Sequence, residues 1–393
     1  MRTGSKEDKR YAWAEIDLAS LDHNIRLVKA AGSGDGAGIM AVVKADGYGH
    51  GAIEISRQAL KSGIGALGVA LVEEGIDLRK AGIGAPIYVL GECSPHSVAD
   101  AVKNRLILTV NSVASAGVFS GIAGKAGGNL AVNINIDTGM NRVGIDWRHA
   151  AGAVPEIRKI SGLNVEGIFS HFSCASEENE DFSRLQWERF SEVRKEIESQ
   201  YPDKNNIYHF ANSAAFFRFP FSRLDMARIG LSLYGLNPYK GKWNEWIPEE
   251  TRRAISKLKP VLSLKSRISF IKKTGKGEPI SYCGTFKTKV ESVIATIPVG
   301  YADGYSRLLS NRAKVLIGGM EAPVVGNITM DQFMVDITGI TGVKEVACGD
   351  EVVLIGRSGS KEILADDIAE LMGTINYEVV CMIAARIPRV YIH

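Results

Sequence analysis

A lysine ends the apolar run Ile39–Val43, and Asp46, Tyr48 and His50 follow it at once, with glycines at 47, 49 and 51. Continuous apolar character with β-branching predicts a strand covered on both faces, and the glycines predict a tight turn where backbone approaches a ligand. Lys44 there is placed to form an imine with a carbonyl substrate or an aldehyde cofactor. Polar residues close other apolar runs in the same way. Asn135, Asp137 and, past a TGMN turn, Arg142 follow one run; His171 follows the next; Asn212 and Ser213 follow a third, and Arg228 with Gly230 ends a fourth. A phosphate monoester needs backbone N–H groups, a helix start and hydroxyls. Ser213, opening SAAFF, reads as a helix cap whose amides face a phosphate, Gly230 lets backbone reach the same point, and Tyr48 adds a phenolic donor. An imine-forming lysine with a phosphate cradle points to pyridoxal phosphate, whose ring is an electron sink for a carbanion. Each residue alone also has a plain structural reading: Lys44 as the first solvated residue after a strand, His171 as a buried structural histidine, Arg142 and Arg228 as partners of acids, Asn212–Ser213 as a cap. Convergence at one mouth is what lifts them together.

The elements that must bring them there recur in a beat. Tyr11–Asp17 alternates polar and apolar positions and predicts a strand leading into a helix over Leu18–Ala31. Apolar runs at 39–43, 66–70, 86–90, 106–110, 130–136, 165–170, 206–211 and 225–233 alternate with helix-length segments such as 50–62, 96–103, 112–124, 148–159 and 179–199. Eight strand–helix beats in about 200 residues predict an α/β fold, a (β/α)8 TIM barrel with its active site at the carboxyl ends of the strands. An open doubly wound sheet is the runner-up, but its glycine-rich first turn is missing: GSGDGAG at 32–38 precedes a strand, and the GxGxxG spacing at 63–68 follows a helix. After about residue 238 the rhythm changes. A linker or surface helix at 240–257 leads to strand-like runs at 261–271, 290–298, 313–317, 322–328, 332–337 and 351–355, a helix at 361–371 and a closing strand at 378–384. The expected organisation is a barrel over 11–240 and a C-terminal β-rich domain over 255–393. Tyr301 and Tyr305, Thr329 to Asp331, and Tyr377–Glu378 sit in its turns, placed to project into another domain or subunit.

Composition excludes several classes. Lys and Arg number 47 against 44 acidic residues, a formal charge of +3, and no basic run with interleaved aromatics argues for nucleic acid. Five scattered cysteines without CxxC spacing favour free thiols in a reducing compartment, residues 1–10 read as a loose charged tail without the apolar stretch of a secretory signal, and no segment reads as a membrane span. A cytoplasmic protein is expected. The seven histidines lack HExxH spacing and Gly-x-Ser-x-Gly does not occur, so neither a metal centre nor a hydrolase elbow has an anchor.

From about Tyr11 to Pro388 the sequence resembles the alanine racemase family of fold-type III pyridoxal-phosphate enzymes, through AVVKADGYGHG, IDTGMNRVG, HFANS, ARIGLSLYG, IPVGYADGY, MDQFMVD and TINYEV. The resemblance implies that Lys44 carries the cofactor and is one base, and that Tyr301, supplied by the second subunit of a head-to-tail homodimer, is the opposing base. It implies that Tyr48, Ser213, Gly230, Leu231 and Tyr377 bind the phosphate, with Asn212 beside them. Arg228 resembles the arginine facing the pyridine nitrogen and His171 the histidine supporting the ring. Arg142 resembles the neighbour of the cofactor phenolate and substrate carboxylate, and Met330 and Asp331 the substrate-side segment given in trans. The implied activity is interconversion of L- and D-alanine, a small-molecule amino-acid substrate, by two bases on opposite faces. Two positions depart from the pattern. Asn135 stands where many members carry a carbamylated lysine, so either an inorganic anion near Arg142 or a direct Asn135–Arg142 hydrogen bond is expected. Thr329 stands where cysteine is frequent, which leaves serine or a broader amino-acid range open beside alanine. The rivals are a pyridoxal-phosphate decarboxylase, which lacks its glycine-rich phosphate segment and GESCD-like motif here, a cofactor-free aldolase, which leaves Ser213 and Arg228 without a task, and a non-catalytic cofactor-binding protein, which would not need Tyr301.

Overall fold

The structure is a computed structural model that describes residues 10–34, 36–202, 206–239 and 246–393. Residues 1–9 of the expected tail, Asp35 of the glycine-rich connection and residues 240–245 of the expected linker lie outside the described residues.

The chain opens with strand β1 (Ala12–Asp17) and helix α1 (Leu18–Ala31). Eight strands follow: β2 (Gly38–Val42), β3 (Ala66–Val69), β4 (Ile87–Val89), β5 (Ile107–Val110), β6 (Leu130–Asp137), β7 (Leu163–Phe169), β8 (Ile207–His209) and β9 (Met226–Ile229). Between them run α2 (Ala52–Lys61), α3 (Val72–Lys80), α4 (Val98–Lys103), α5 (Val113–Lys125), α6 (Trp147–Lys159), α7 (Asp181–Gln200) and α8 (Ser213–Arg218). Parallel ladders join neighbours from β9 to β2 and round to β8. The remaining seam, β8 to β9, is drawn together by Asp225 N–H donating to Tyr208 O (3.1 Å) and Arg228 N–H to Ala211 O (3.0 Å). The result is a near-closed parallel barrel. β3, β4 and β5 are buried at every position, as strands covered on both faces must be. Met40, Ala66, Tyr88, Ile107 and Met226 form a separate apolar cluster from five of these strands, the filling of the barrel interior. The helix that would follow the eighth strand is replaced by α1, tied there by Asn24 Nδ2–H to Leu233 O at 3.1 Å.

The C-terminal part is β-rich. α9 (Glu249–Ile255) leads into β10 (Leu262–Arg267), β11 (Phe270–Thr274), β12 (Ser292–Ile297), β13 (Lys314–Ile317), β14 (Met320–Val325), β15 (Phe333–Asp336) and β16 (Glu351–Ser358), then α10 (Ala365–Met372), α11 (Asn376–Cys381) and β17 (Arg389–Ile392). The sheet order is β11-β12-β15-β14-β13-β16-β10-β1-β17. β1 therefore belongs to this sheet, antiparallel to β10 and parallel to β17, although in sequence it precedes the barrel. Its alternation of buried and half-buried residues suits a sheet with one covered face, whereas the barrel strands are covered on both.

Two other expectations are corrected. The closing strand expected at 378–384 is helix α11, and the true last strand lies at 389–392. Tyr377–Glu378 thus sits in the first turn of a helix, since a short run such as YEVV has no decisive period. The strand expected over 225–233 stops at Ile229. Gly230 (φ −112°, ψ −87°) breaks it, and a 3₁₀ turn over Leu231–Tyr234 follows.

Candidate active site

Lys44 leaves the end of β2 into a turn of the wrong hand. Ala45, Asp46, Gly47 and Tyr48 all have φ between 52° and 63°, so the chain makes a left-handed helical turn, in which Gly47 N–H bonds Val43 O (2.8 Å) and Gly49 N–H bonds Ala45 O (2.9 Å). Non-glycine residues there are strained by roughly 1–2 kcal/mol each, so the surroundings must hold them. Asp46 Oδ1 accepts from Ala52 N–H at 2.9 Å, and Gly49 lies so close to Val380 that a Cβ would meet its carbonyl oxygen at 2.2 Å. The turn is what positions Tyr48. Its ring packs against Tyr234 (5.0 Å between centroids) and Tyr377 (6.4 Å), and Tyr234 is anchored by its hydroxyl to Val42 O at 2.9 Å.

Lys44, Ala45 and Tyr48 line a cavity of about 550 Å³ at the carboxyl ends of the barrel strands, together with Asn135, Asp137, Arg142, His171, Asn212, Ser213, Arg228, Gly230, Leu231, Tyr377 and Cys381. Every barrel-side residue that the sequence marked is therefore in one place. Tyr301, Met330 and Asp331 are not among its lining residues; they lie exposed (43%, 54% and 65%) on turns of the β-rich part. The Tyr301 turn is fixed by Tyr301 N–H to Thr329 O (3.0 Å) and by the buried Asp303, whose Oδ2 accepts from Gly300 N–H at 3.0 Å and whose Oδ1 binds Arg386 at 2.6 Å.

At one end of the cavity Ser213 Oγ accepts the N–H of Gly230 (3.1 Å), which leaves its own proton to donate. The cap of α8 is Asn212, whose Oδ1 takes Ala215 N–H at 3.0 Å, and not Ser213 as expected. A side chain at 230 would place its Cβ 2.6 Å from the Tyr48 hydroxyl, so only glycine keeps this corner open. Burial pushes the Tyr48 phenol well above its ordinary range, so it stays a donor.

At the other end Arg228 lies buried on β9. NH1 donates to His209 Nδ1 (2.7 Å) and His209 O (3.0 Å); NH2 donates to Ser170 O (2.7 Å), His171 Nδ1 (3.0 Å) and Phe210 O (3.1 Å). Nε–H is the donor left over. Because both imidazoles accept from a guanidinium, both are neutral and carry their proton on Nε2. Burial and the Arg228 charge hold both histidines well below their usual range. His209 Nε2 lies 2.7 Å from Asn133 Nδ2 while Asn133 Oδ1 is unpaired, so turning the amide over lets Oδ1 accept the Nε2 proton. His209 and Asn133 were not picked out from the sequence; the available signal was the histidine opening HFANS. Burial, then the nearby Arg142, pushes Arg228 down to about 9, still cationic at neutral pH.

Asn135 does not bond Arg142. Its Nδ2 donates to Asn111 Oδ1 (2.9 Å) and Val143 O (3.3 Å), and Asn111 in turn donates to Glu92, residues whose roles the sequence did not signal. The turn that carries Arg142 is held by Asp137 Oδ1, which accepts from Gly139 N–H (2.8 Å) and Asn141 N–H (3.1 Å). Lys44 is pushed down from its ordinary value by burial first and by Arg142 next.

Hydroxyls, backbone N–H groups, a buried guanidinium and an amine around one cavity fit an anionic, ring-bearing phosphate ester. Three cations line the cavity, and its two carboxylates, Asp137 and Glu92, are engaged with N–H donors. Residues 16–238 match the family model for the alanine racemase N-terminal domain and 261–391 that for the C-terminal domain. The chain belongs to the alanine racemase family. It is 43% identical over 387 residues to the alanine racemase of Halothermothrix orenii, covering 98% of each chain, and 42% identical to alanine racemase 1 of Clostridium acetobutylicum, covering 98% of this chain and 96% of that one. Among solved structures, alanine racemase of Bacillus anthracis with bound L-Ala-P matches with a TM-score of 0.87 at 36% identity, over 98% of this chain and 95% of that one. That of Clostridium difficile in complex with cycloserine matches with a TM-score of 0.86 at 36% identity, over 97% and 96%. Membership of the family makes the chain a pyridoxal-phosphate-dependent isomerase acting on alanine. Among the described residues no helix is long and apolar enough to cross a membrane.

Proposed function

We propose that Lys44 and Tyr301 of the partner subunit are the two bases that racemise alanine. The observation that carries this reading is the split between the two groups: a complete cofactor-shaped cavity beside Lys44, and an exposed Tyr301 on a rigid turn that does not line it. Racemisation removes the α-proton on one face of a planar adduct and delivers one on the other, so a base on each face is the minimum. Pyridoxal phosphate, when bound, supplies the electron-withdrawing ring that makes the α-proton acidic. Lys44 anchors it, and burial together with Arg142 lowers its proton affinity, which favours the nucleophilic free amine. Tyr48, Ser213, Gly230, Leu231, Asn212 and Tyr377 hold the phosphate. Arg228, whose Nε–H is left free, would serve the ring nitrogen, and a fixed cation there would disfavour its protonation and weaken the electron sink. His171 supports the ring. Arg142, with Met330 and Asp331 from the second subunit, receives the substrate carboxylate side.

The same reading divides the chain into a cofactor domain over 11–240, whose first strand β1 joins the second sheet, and a domain over 255–393 that serves the neighbouring site of a homodimer. An inorganic anion near Asn135 and Arg142 belongs to it. Its support is that Arg142 has no ion-pair partner among the described residues; Asn135 uses both N–H bonds on carbonyl oxygens, so Arg142 is the group that holds the anion. Cytoplasmic residence is inferred from the scattered cysteines.

Mixing tests the two-base reading. Lys44→Ala and Tyr301→Phe chains are each expected to be inactive on L- and D-alanine. After reassembly at equal amounts, half of the dimers are mixed and each has one intact site, which restores roughly a quarter of the wild-type activity. Failure to recover activity from demonstrably mixed dimers overturns the proposal.

A further inference from the structure

Glu74 joins two segments beneath Lys44. As the third residue of α3 its Oε2 accepts the N–H groups of Ala70 (2.7 Å) and Leu71 (3.1 Å), the reach-back that begins a helix. Its Oε1 does something the helix does not require: it accepts the N–H of Ala45 at 2.6 Å, the residue directly after Lys44 and the first of the left-handed turn. The charged and titratable groups facing Lys44 are Arg142 from the turn after β6, Arg228 from β9, His171 after β7, Cys381 from α11 and Glu74 from α3. Two are fixed cations, His171 is neutral and burial keeps the Cys381 thiol protonated. Glu74 is the carboxylate of the set.

We propose that Glu74 is a positioning residue for Lys44: Oε1 fixes the peptide unit from which the lysine side chain departs, and its charge offsets the two guanidinium groups at the amine. The inference rests on Lys44 being the cofactor lysine. Loss of Glu74 lowers the proton affinity of Lys44 further, since Arg142 and Arg228 then act unopposed. Glutamine keeps one acceptor oxygen but turns an NH₂ toward the other donors, whereas aspartate keeps the charge and is too short to reach both segments.

The test uses full-length Glu74→Gln and Glu74→Asp, with the neighbouring exposed Glu73→Gln as control. The first readout is the pH dependence of Lys44 modification by an amine-reactive reagent in the chain stripped of cofactor, followed by peptide mass. The midpoint is expected to fall by about half a pH unit or more in Glu74→Gln, less in Glu74→Asp, and to stay in place in Glu73→Gln. In the loaded enzyme kcat is expected to fall roughly tenfold in both variants with KM within about twofold, the mark of misplaced chemistry rather than weakened binding. If Glu74→Gln does not fold, Glu74→Asp alone decides through its kcat. A midpoint and a kcat both like wild type reduce Glu74 to a helix cap and overturn the inference. Failure of cofactor and borohydride to label Lys44 in the wild type would instead overturn the assignment of Lys44 itself.

Discussion

Arg228 is a buried cation with no carboxylate beside it among the described residues; carbonyl oxygens and two neutral imidazoles solvate it instead. Such a group is costly to bury unless its N–H donors are met, and three carbonyl oxygens and two imidazole nitrogens meet them here. Its electrostatic task follows from the same isolation. On the reading proposed above, a cation at the ring nitrogen would keep that nitrogen unprotonated, and the weaker electron sink would return the proton quickly instead of letting it stray. Arg228→Glu is expected to lower kcat for racemisation about a hundredfold and to raise transamination, measured as pyridoxamine phosphate formed during incubation with alanine. No rise in that product would refute the role. The residue type and its place at a strand end were legible in the sequence. Its two histidine partners were only half legible, because His209 lies on a buried strand where a structural histidine looks the same.

The turns that carry Arg142 and Tyr301 are each held by a carboxylate, Asp137 and Asp303. Asp137 accepts two backbone N–H groups of the turn that presents Arg142, each charge-assisted bond being worth about 1.5–3 kcal/mol. Asp137→Ala is expected to loosen that turn and raise KM for L-alanine roughly tenfold while kcat stays within about threefold, read from initial rates. An unchanged KM would show that the turn is held by other means. The DTGMNR segment announced a tight turn. The turn after Lys44 was announced by its glycines as tight, but not as left-handed, since Ala45, Asp46 and Tyr48 give no local reason to take positive φ; packing against Val380 and the α2 start imposes it.

Among the described residues, His50 and His209 are buried and His171 half-buried, and all three lie below their ordinary values, His50 at about 4 because burial disfavours its charged form. In the unfolded chain each binds a proton as pH falls through about 6.5, while the folded chain resists doing so. Stability is thus full above that pH and declines below it, by up to about 1.4 kcal/mol per pH unit for each such histidine. Urea unfolding between pH 7 and pH 5 is expected to show a falling midpoint, and His50→Gln a shallower fall; a flat profile in the wild-type chain would contradict the burial argument.

The sequence by itself determined the barrel, because each doubly buried strand must be written as an unbroken apolar run, and it determined the residue types at the strand ends. It also marked the β-rich second part by its change of rhythm. Only the tertiary structure decided that β1 leaves the barrel for the second sheet, that Tyr377 starts a helix, that Asn135 turns to Asn111 instead of Arg142, and that Tyr301 stands apart from Lys44 within one chain. Those are choices of partner between segments far apart in sequence, and local pattern carries no record of which distant surface a strand edge, an amide or a phenol will meet.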